Sequence, residues 1–139
     1  MILLDTNVIS ELMKKPANEL VVRWYLSHEA ETVICAPSLG EIAFGIARLP
    51  AGRRRSGLEA DLADLRVRYA ERSLPFTSNS ANIYGDILFD ALKEKHNMNV
   101  VDAQIAAIAM ENGLQLATRN IKDFGFSDLT LINPWEAEA

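Results

Sequence analysis

Cysteine occurs once in the 139 residues, at Cys35, so no disulfide can close within the chain and a reducing compartment suits it. Cys35 lies inside the apolar run Thr32-Val33-Ile34-Cys35-Ala36 and reads as core filler. No uninterrupted apolar run approaches the ~20 residues that span a bilayer, and no basic segment leads into a short apolar one as an export signal would. The expectation is a soluble, cytoplasmic chain with no membrane association. Positive charge is also scarce: the formal net charge is -5. That excludes a protein that holds nucleic acid through overall basicity, because phosphate attraction scales with clustered Lys and Arg. A nucleic-acid role would need a local basic surface, or cations that neutralise an acidic pocket.

Several sites of known chemistry are missing as well. There is no Gly-rich Walker loop, no Gly-x-Ser-x-Gly elbow and no Cys or His metal spacing. His28 and His96 sit in polar helix-end contexts and read as surface or capping residues. No internal repeat or low-complexity segment interrupts the chain.

What is present is enough apolar material, 49% of residues, for one domain over residues 1–139 without staples. Residues 1–4 form a short apolar run that fits a strand buried on both faces, ending at Asp5. Thr6 or Asn7 can cap a short helix through Met13, and an amphipathic stretch follows over residues 19–28. Residues 32–36 read as a second buried strand. Pro37-Ser38 then opens a helix with Ile42, Ala43, Ile46 and Leu49 at helical spacing, ended by Pro50-Ala51-Gly52. Residues 57–72 keep a surface-helix period, and residues 73–76 are a weaker strand candidate. The Thr77-Ser78-Asn79-Ser80 cluster offers N-caps to a helix whose apolar face is Ile83, Ile87, Leu88 and Leu92. A helix over residues 100–111 stops at Asn112-Gly113, and strands are expected at residues 114–118 and 129–132. Strands separated by helices imply an α/β fold, a three-layer α/β/α sandwich around a mostly parallel sheet. Ligands of such sheets bind beyond the carboxyl ends of strands, where Asp5 and the segment Thr118-Arg119-Asn120 would lie.

Three acids stand out, each with a plain alternative. Asp5 ends an apolar strand, and a helix cap or turn former also fits it. Glu41 completes the capping box Ser38-Leu39-Gly40-Glu41, or else points across the strand ends toward Asp5. Asp102 lies in Val100-Val101-Asp102-Ala103-Gln104-Ile105-Ala106-Ala107-Ile108-Ala109-Met110, a helix apolar on nearly every side. An ionised carboxylate there must be paired or bound to metal, unless it is a first-turn acid after an Asn99 cap. Asp86 and Asp90 oppose an apolar face and read as solvated. Asn120 and Asp123 follow the late strand and could complete an acidic pocket, although an ordinary turn accounts for Lys122-Asp123 equally well. Arg53-Arg54-Arg55 fits a solvated loop better than a phosphate contact.

Three carboxylates meeting beyond strand ends would repel one another unless hard cations neutralised them, and such oxygen ligands suit Mg2+ or Mn2+ rather than zinc. The chemistry implied is metal-assisted phosphoryl transfer.

These segments also resemble a known family. Ile2-Leu3-Leu4-Asp5-Thr6-Asn7-Val8-Ile9-Ser10 looks like the opening of PIN-domain proteins, Pro37-Ser38-Leu39-Gly40-Glu41-Ile42 like their second acidic segment, and Asp102-Ala103-Gln104-Ile105-Ala106-Ala107 like the third. Ala117-Thr118-Arg119-Asn120 is similar to the segment that closes the pocket, and the ending Asn133-Pro134-Trp135 fits too. The likeness is to VapC-like toxins, including a subgroup whose antitoxins bind DNA. It implies Mg2+ or Mn2+ held by Asp5 and Asp102 with help from Glu41. Thr6, Asn7, Thr118, Asn120 and Asp123 would support them. It also implies endonuclease action on RNA, an antitoxin that occludes the site, and a homodimer or toxin–antitoxin hetero-oligomer. Some relatives carry a fourth acid where this chain has Asn120, which leaves a second metal open. Two other readings remain: a Mg-dependent phosphate-handling domain, and an interaction module whose main task is to bind a DNA-binding antitoxin.

Overall fold

The computed structural model describes residues 1–125 and 127–136. Five strands, β1 (Ile2–Leu4), β2 (Thr32–Cys35), β3 (Ser73–Leu74), β4 (Gln115–Ala117) and β5 (Leu131–Ile132), form one sheet in the order β3-β2-β1-β4-β5. Every pairing is parallel, so the sheet is wholly rather than mostly parallel. Six α-helices cross over between the strands: α1 (Thr6–Leu12), α2 (Glu19–His28), α3 (Ala36–Ala47), α4 (Arg53–Arg68), α5 (Ser78–Lys93) and α6 (Val100–Glu111). No helix among the described residues is long and apolar enough to cross a membrane.

Side-chain alternation along the strands divides the core in two. Ile2, Leu4, Ile34 and Ala117 pack with Val8, Ile9, Val21, Trp24, Leu39, Ile42 and Ile46 of α1, α2 and α3, with Leu58, Leu62 and Leu65 of α4 against them. Leu3, Val33, Cys35 and Leu116 face the other way, onto Ile87 of α5 and the run from Ala103 to Ala109 of α6. The strands are therefore buried on both sides, which is why they read as continuous apolar runs. Each fully buried Leu or Ile contributes ~1.5–3 kcal/mol. Polar groups inside this core are satisfied: Tyr69 Oη lies 2.7 Å from both Tyr25 Oη and Thr32 Oγ1, and the Thr32 hydroxyl donates to the Glu29 carbonyl.

Several sequence expectations change. The cap of α1 is Asp5, the helix-cap alternative offered for that residue, whose carboxylate accepts the Thr6 backbone N–H, and not Thr6 or Asn7. Helix α3 begins at Ala36, one residue before the expected Pro37, and ends before Leu49. The Arg53-Arg54-Arg55 run is the first turn of α4 rather than a loop. That turn has no acid and no side-chain cap, so three cations sit at the positive end of a helix dipole, an arrangement that costs a few tenths of a kcal/mol per charge. On α5 the buried positions are Ser80, Ile87 and Ala91, while Leu92 points outward and is 73% exposed. Residues 121–124 form a 3-10 turn. Asp86 and Asp90 are exposed, as expected. His28 stacks on Trp24 at 4.9 Å and its Nδ1 lies 2.8 Å from the Trp24 carbonyl oxygen, closing the end of α2.

Candidate active site

The direction of chain progression across the sheet reverses between β1 and β4: β2 and β3 lie on one side of β1, β4 and β5 on the other. A crevice opens beyond the carboxyl ends of strands at such a reversal. Asp5 follows β1 and Thr118 follows β4, so both stand at that crevice. The ladder continues one residue past the strands, with Asp5 N–H donating to the Ala117 carbonyl at 2.9 Å and Thr118 N–H to that of Ile132 at 2.8 Å.

Asp5 is 2% exposed and its two carboxylate oxygens are committed to different donors. Oδ1 accepts the Thr6 N–H at 2.7 Å; Oδ2 accepts the Thr118 hydroxyl at 2.7 Å and the Asn7 side-chain amide at 3.2 Å. Burial raises its pKa above the ordinary value, opposed by the Thr118, Thr6 and Asn7 hydrogen bonds and reinforced by the charge of Glu41. Thr118, fully buried, is the hub of this loop: its oxygen also accepts the backbone N–H of Asn120 at 3.0 Å. Asn7 Oδ1 accepts the Arg119 N–H at 3.3 Å, which ties the β4 loop to α1.

Glu41 comes from α3 and is half-buried. Its capping-box reading fails, because the residue before the helix is Cys35 and Ser38 lies inside the first turn, buried against the Cys35 thiol at 3.5 Å. Instead Glu41 Oε1 accepts the Thr6 hydroxyl at 2.6 Å, with Ser38 Oγ 3.0 Å from the same threonine oxygen. Thr6 thus links the acid on α3 to the loop that carries Asp5.

Asp102 stands in the first turn of α6, behind an Asn99 cap whose side chain accepts the N–H groups of Val101 and Asp102. The first-turn reading is therefore correct as far as it goes. The carboxylate itself accepts no hydrogen bond among the described residues. Its pKa is pushed up to about 7, by burial first and then by the negative charges of Asp5, Asp123 and Glu41. A half-buried acid with no donor, in the field of three others, is a place where a cation would be stabilised.

Asp5, Glu41, Asp102, Thr6, Asn7 and Asn120 line one cleft of about 450 Å³. Asp123 is not part of its lining; it lies in the 3-10 turn, its carbonyl 3.1 Å from His96 Nε2, and acts on Asp102 through its charge. The lining also includes Glu11 and Lys14, which the sequence did not single out, and Arg119 and Trp135, which entered the sequence reading only as members of resembling segments. Glu11 is held below its ordinary pKa mainly by the backbone N–H of Asn18, with Lys14 and Arg119 adding to the effect. The advance signals for Arg119 were its place beside Thr118 after β4 and its membership of the segment that resembles the pocket-closing one. A larger groove, about 840 Å³, opens next to the cleft and shares Thr6, Ser10, Lys14 and Glu41 with it. Its walls add Ile42, Ile46, Leu58, Arg53 and Arg54.

The donor set of the cleft is all oxygen, the preference of hard divalent cations. Among the described residues no three Asp, Glu, His or Cys side chains stand close enough to close on an ion. A cation here would take one or two carboxylates and complete its shell with water, as Mg2+ accepts.

Comparison with known proteins places the chain in a family. Residues 2–128 match the family model described as the PIN domain. The VapC ribonuclease Y4jK of Sinorhizobium fredii is 37% identical over 138 residues, covering 98% of this chain and 99% of the relative. The toxin FitB of Neisseria gonorrhoeae is 37% identical over 137 residues, 97% of this chain and 99% of FitB. A solved structure of FitAB bound to an IR36 DNA fragment superposes with a TM-score of 0.90 at 34% identity, covering 100% of this chain and 99% of that one.

Proposed function

Because the chain belongs to the PIN-domain family, we propose that it is a metal-dependent endoribonuclease acting as the toxin of a toxin–antitoxin pair. The observation that carries this reading is the Asp102 carboxylate, which has no donor among the described residues and is raised to about 7 by burial and by Asp5, Asp123 and Glu41. The names of its relatives, a VapC ribonuclease and a toxin, support the same substrate class and role.

Asp5 and Asp102 would hold Mg2+ or Mn2+, with Glu41 beside them. The ion, when bound, neutralises the acidic cleft and polarises the phosphodiester and its attacking water. The chain's own residues do the rest. Thr118, Asn7 and the Thr6 N–H fix the Asp5 carboxylate in one orientation. Glu41 has one oxygen held by Thr6, and the other is available to take the proton of the attacking water. Asn120 contributes an uncharged amide where some relatives have an acid, which favours a site of three carboxylates and a single firmly held ion. A phosphoryl-acceptor role for Asp5 fits less well, because Asp5-Thr6-Asn7 lacks a second aspartate and no lysine stands at the end of β4 by Thr118.

The antitoxin would reach the carboxylates through the adjoining groove, whose apolar walls and whose Arg53 and Arg54, which pair with no described carboxylate, suit an amphipathic segment with acidic side chains. Such a complex, with the toxin paired to itself or in a larger hetero-oligomer, would let the partner carry DNA binding, as the DNA-bound FitAB structure suggests. The interaction-module role then coexists with the nuclease.

The test is incubation of antitoxin-free protein with total RNA, with Mn2+ or Mg2+ and then with chelator. Asp5→Asn and Asp86→Asn are prepared identically. Discrete fragments are expected from wild type and Asp86→Asn only, and only with metal. Equal cleavage by Asp5→Asn would refute the site; no cleavage alongside tight antitoxin binding would leave the module alone.

A further inference from the structure

In a cleft lined by Asp5, Glu41, Asp102 and Glu11, Arg119 is a cation in direct contact with no acid among the described residues, and it reaches Glu11 only through its charge. Lys14 is paired with Glu11 at 3.1 Å, but Arg119 makes no ion pair with any described carboxylate. Arg119 instead stacks on Trp135, its guanidinium carbon 5.0 Å from the indole ring centre, a cation–π contact that orders the side chain. The backbone at Arg119 is fixed as well, through its N–H to Asn7. Both ends of the side chain are therefore positioned, and its planar fork of donors is left unused at the mouth of the cleft.

On the nuclease reading above, we propose that Arg119, braced by Trp135, binds a phosphate of the RNA strand at the cleft. A guanidinium matches two phosphate oxygens at once, which an ammonium cannot do. The Trp135 stack lowers the entropy lost when the fork engages, because the side chain is already ordered. In an otherwise acidic cleft this residue also separates two tasks: the carboxylates attract the cation, and Arg119 attracts the anion that the same carboxylates repel.

That separation gives the proposal opposite signs in two measurements on the full chain. A labelled single-stranded RNA of mixed sequence is titrated by fluorescence anisotropy in Mn2+ at several salt concentrations, its cleavage is followed in parallel, and Mn2+ alone is titrated without RNA. Arg119→Ala is expected to weaken RNA binding ~10-fold or more and to lower the slope of log affinity against log salt by ~0.7, one phosphate contact on a single strand. The same variant is expected to bind Mn2+ as tightly as wild type or a few-fold more tightly, since a nearby positive charge is gone; this also shows that the cleft is intact. Arg119→Lys should recover only part of the RNA affinity, and Trp135→Leu should lie between wild type and Arg119→Ala. Unchanged RNA affinity and salt slope in Arg119→Ala overturn the assignment, whatever cleavage does. So does loss of antitoxin binding with RNA binding intact, which would turn Arg119 toward the protein partner. Arg119-dependent binding without cleavage by wild type would uphold this proposal and sink the nuclease reading instead; no RNA binding by wild type would sink both.

Discussion

Replacing Asp102 by asparagine should make the cation-free protein more stable, not less. In the folded chain the Asp102 carboxyl is raised from 3.8 to about 7, so it keeps its proton through a range in which the unfolded chain has lost it. The associated stability is complete below pH ~4 and is lost as pH rises through 7. At ~1.4 kcal/mol per tenfold change in proton affinity, the full effect would be ~4 kcal/mol. The side chain is only half-buried, and screening by solvent reduces this to ~2 kcal/mol. The amide also loses a carboxylate's interaction with the N-terminus of α6, ~0.5 kcal/mol, leaving a gain of about 1.5 kcal/mol at pH 8. For a chain of this size that corresponds to roughly 6 °C in Tm. The assay is thermal unfolding of wild type and Asp102→Asn in chelator at pH 8 and pH 5, repeated with Mn2+. The variant should be more stable at pH 8, nearly equal at pH 5, and unresponsive to Mn2+. Wild type should gain ~2.7 kcal/mol at a hundredfold excess over its dissociation constant. A variant no more stable at pH 8 in chelator, or equally stabilised at both pH values, would refute the view that Asp102 stands as an uncompensated charge.

Two further substitutions separate the site from its scaffold. Thr118→Val keeps the shape but strips Asp5 Oδ2 of its 2.7 Å donor; it should cost ~1–3 kcal/mol in urea unfolding, push the Asp5 pKa higher, and weaken Mn2+ binding near neutral pH, read by titration. Tyr69→Phe removes the hydroxyl shared by Tyr25 and Thr32, far from the cleft. A loss of ~1–2 kcal/mol with unchanged cleavage per folded molecule is expected, and a fall in specific activity would contradict the separation.

How much of this could be read from the sequence depends on whether the signal is local. The apolar runs around Leu3 and Ile34 and the Ala-rich stretch from Ala103 to Ala109 announce a sheet buried on both faces, because their neighbours in the chain already carry the pattern. Glu41 shows the limit. Ser38-Leu39-Gly40-Glu41 has the spacing of a capping box, but the motif cannot register that the helix begins at Ala36 or that the partner of Glu41 is Thr6, 35 residues away. The arginines at 53–55 misled in the opposite way: the breakers before them suggest a loop, but the helix read from residue 57, with Leu58, Leu62 and Leu65 on the core, extends back to Arg53. Arg119 and Trp135 meet across the fold, and nothing in either one's neighbours announces the pairing. The carboxylates could be proposed from the chain; their donors and the cations around them required the tertiary structure.

The hydrogen bond between Thr118 and Asp5 joins residues 113 positions apart, and this bears on when activity can begin. Asp5 leaves the ribosome more than a hundred residues ahead of Thr118, Arg119 and Trp135. A nascent or truncated chain that stops before β4 has its carboxylate but lacks the loop that orients it and half of the crevice. Translation interrupted before β4 therefore leaves the Asp5 carboxylate without its Thr118 donor, and the interval before that loop emerges is one in which an antitoxin made alongside can already be waiting.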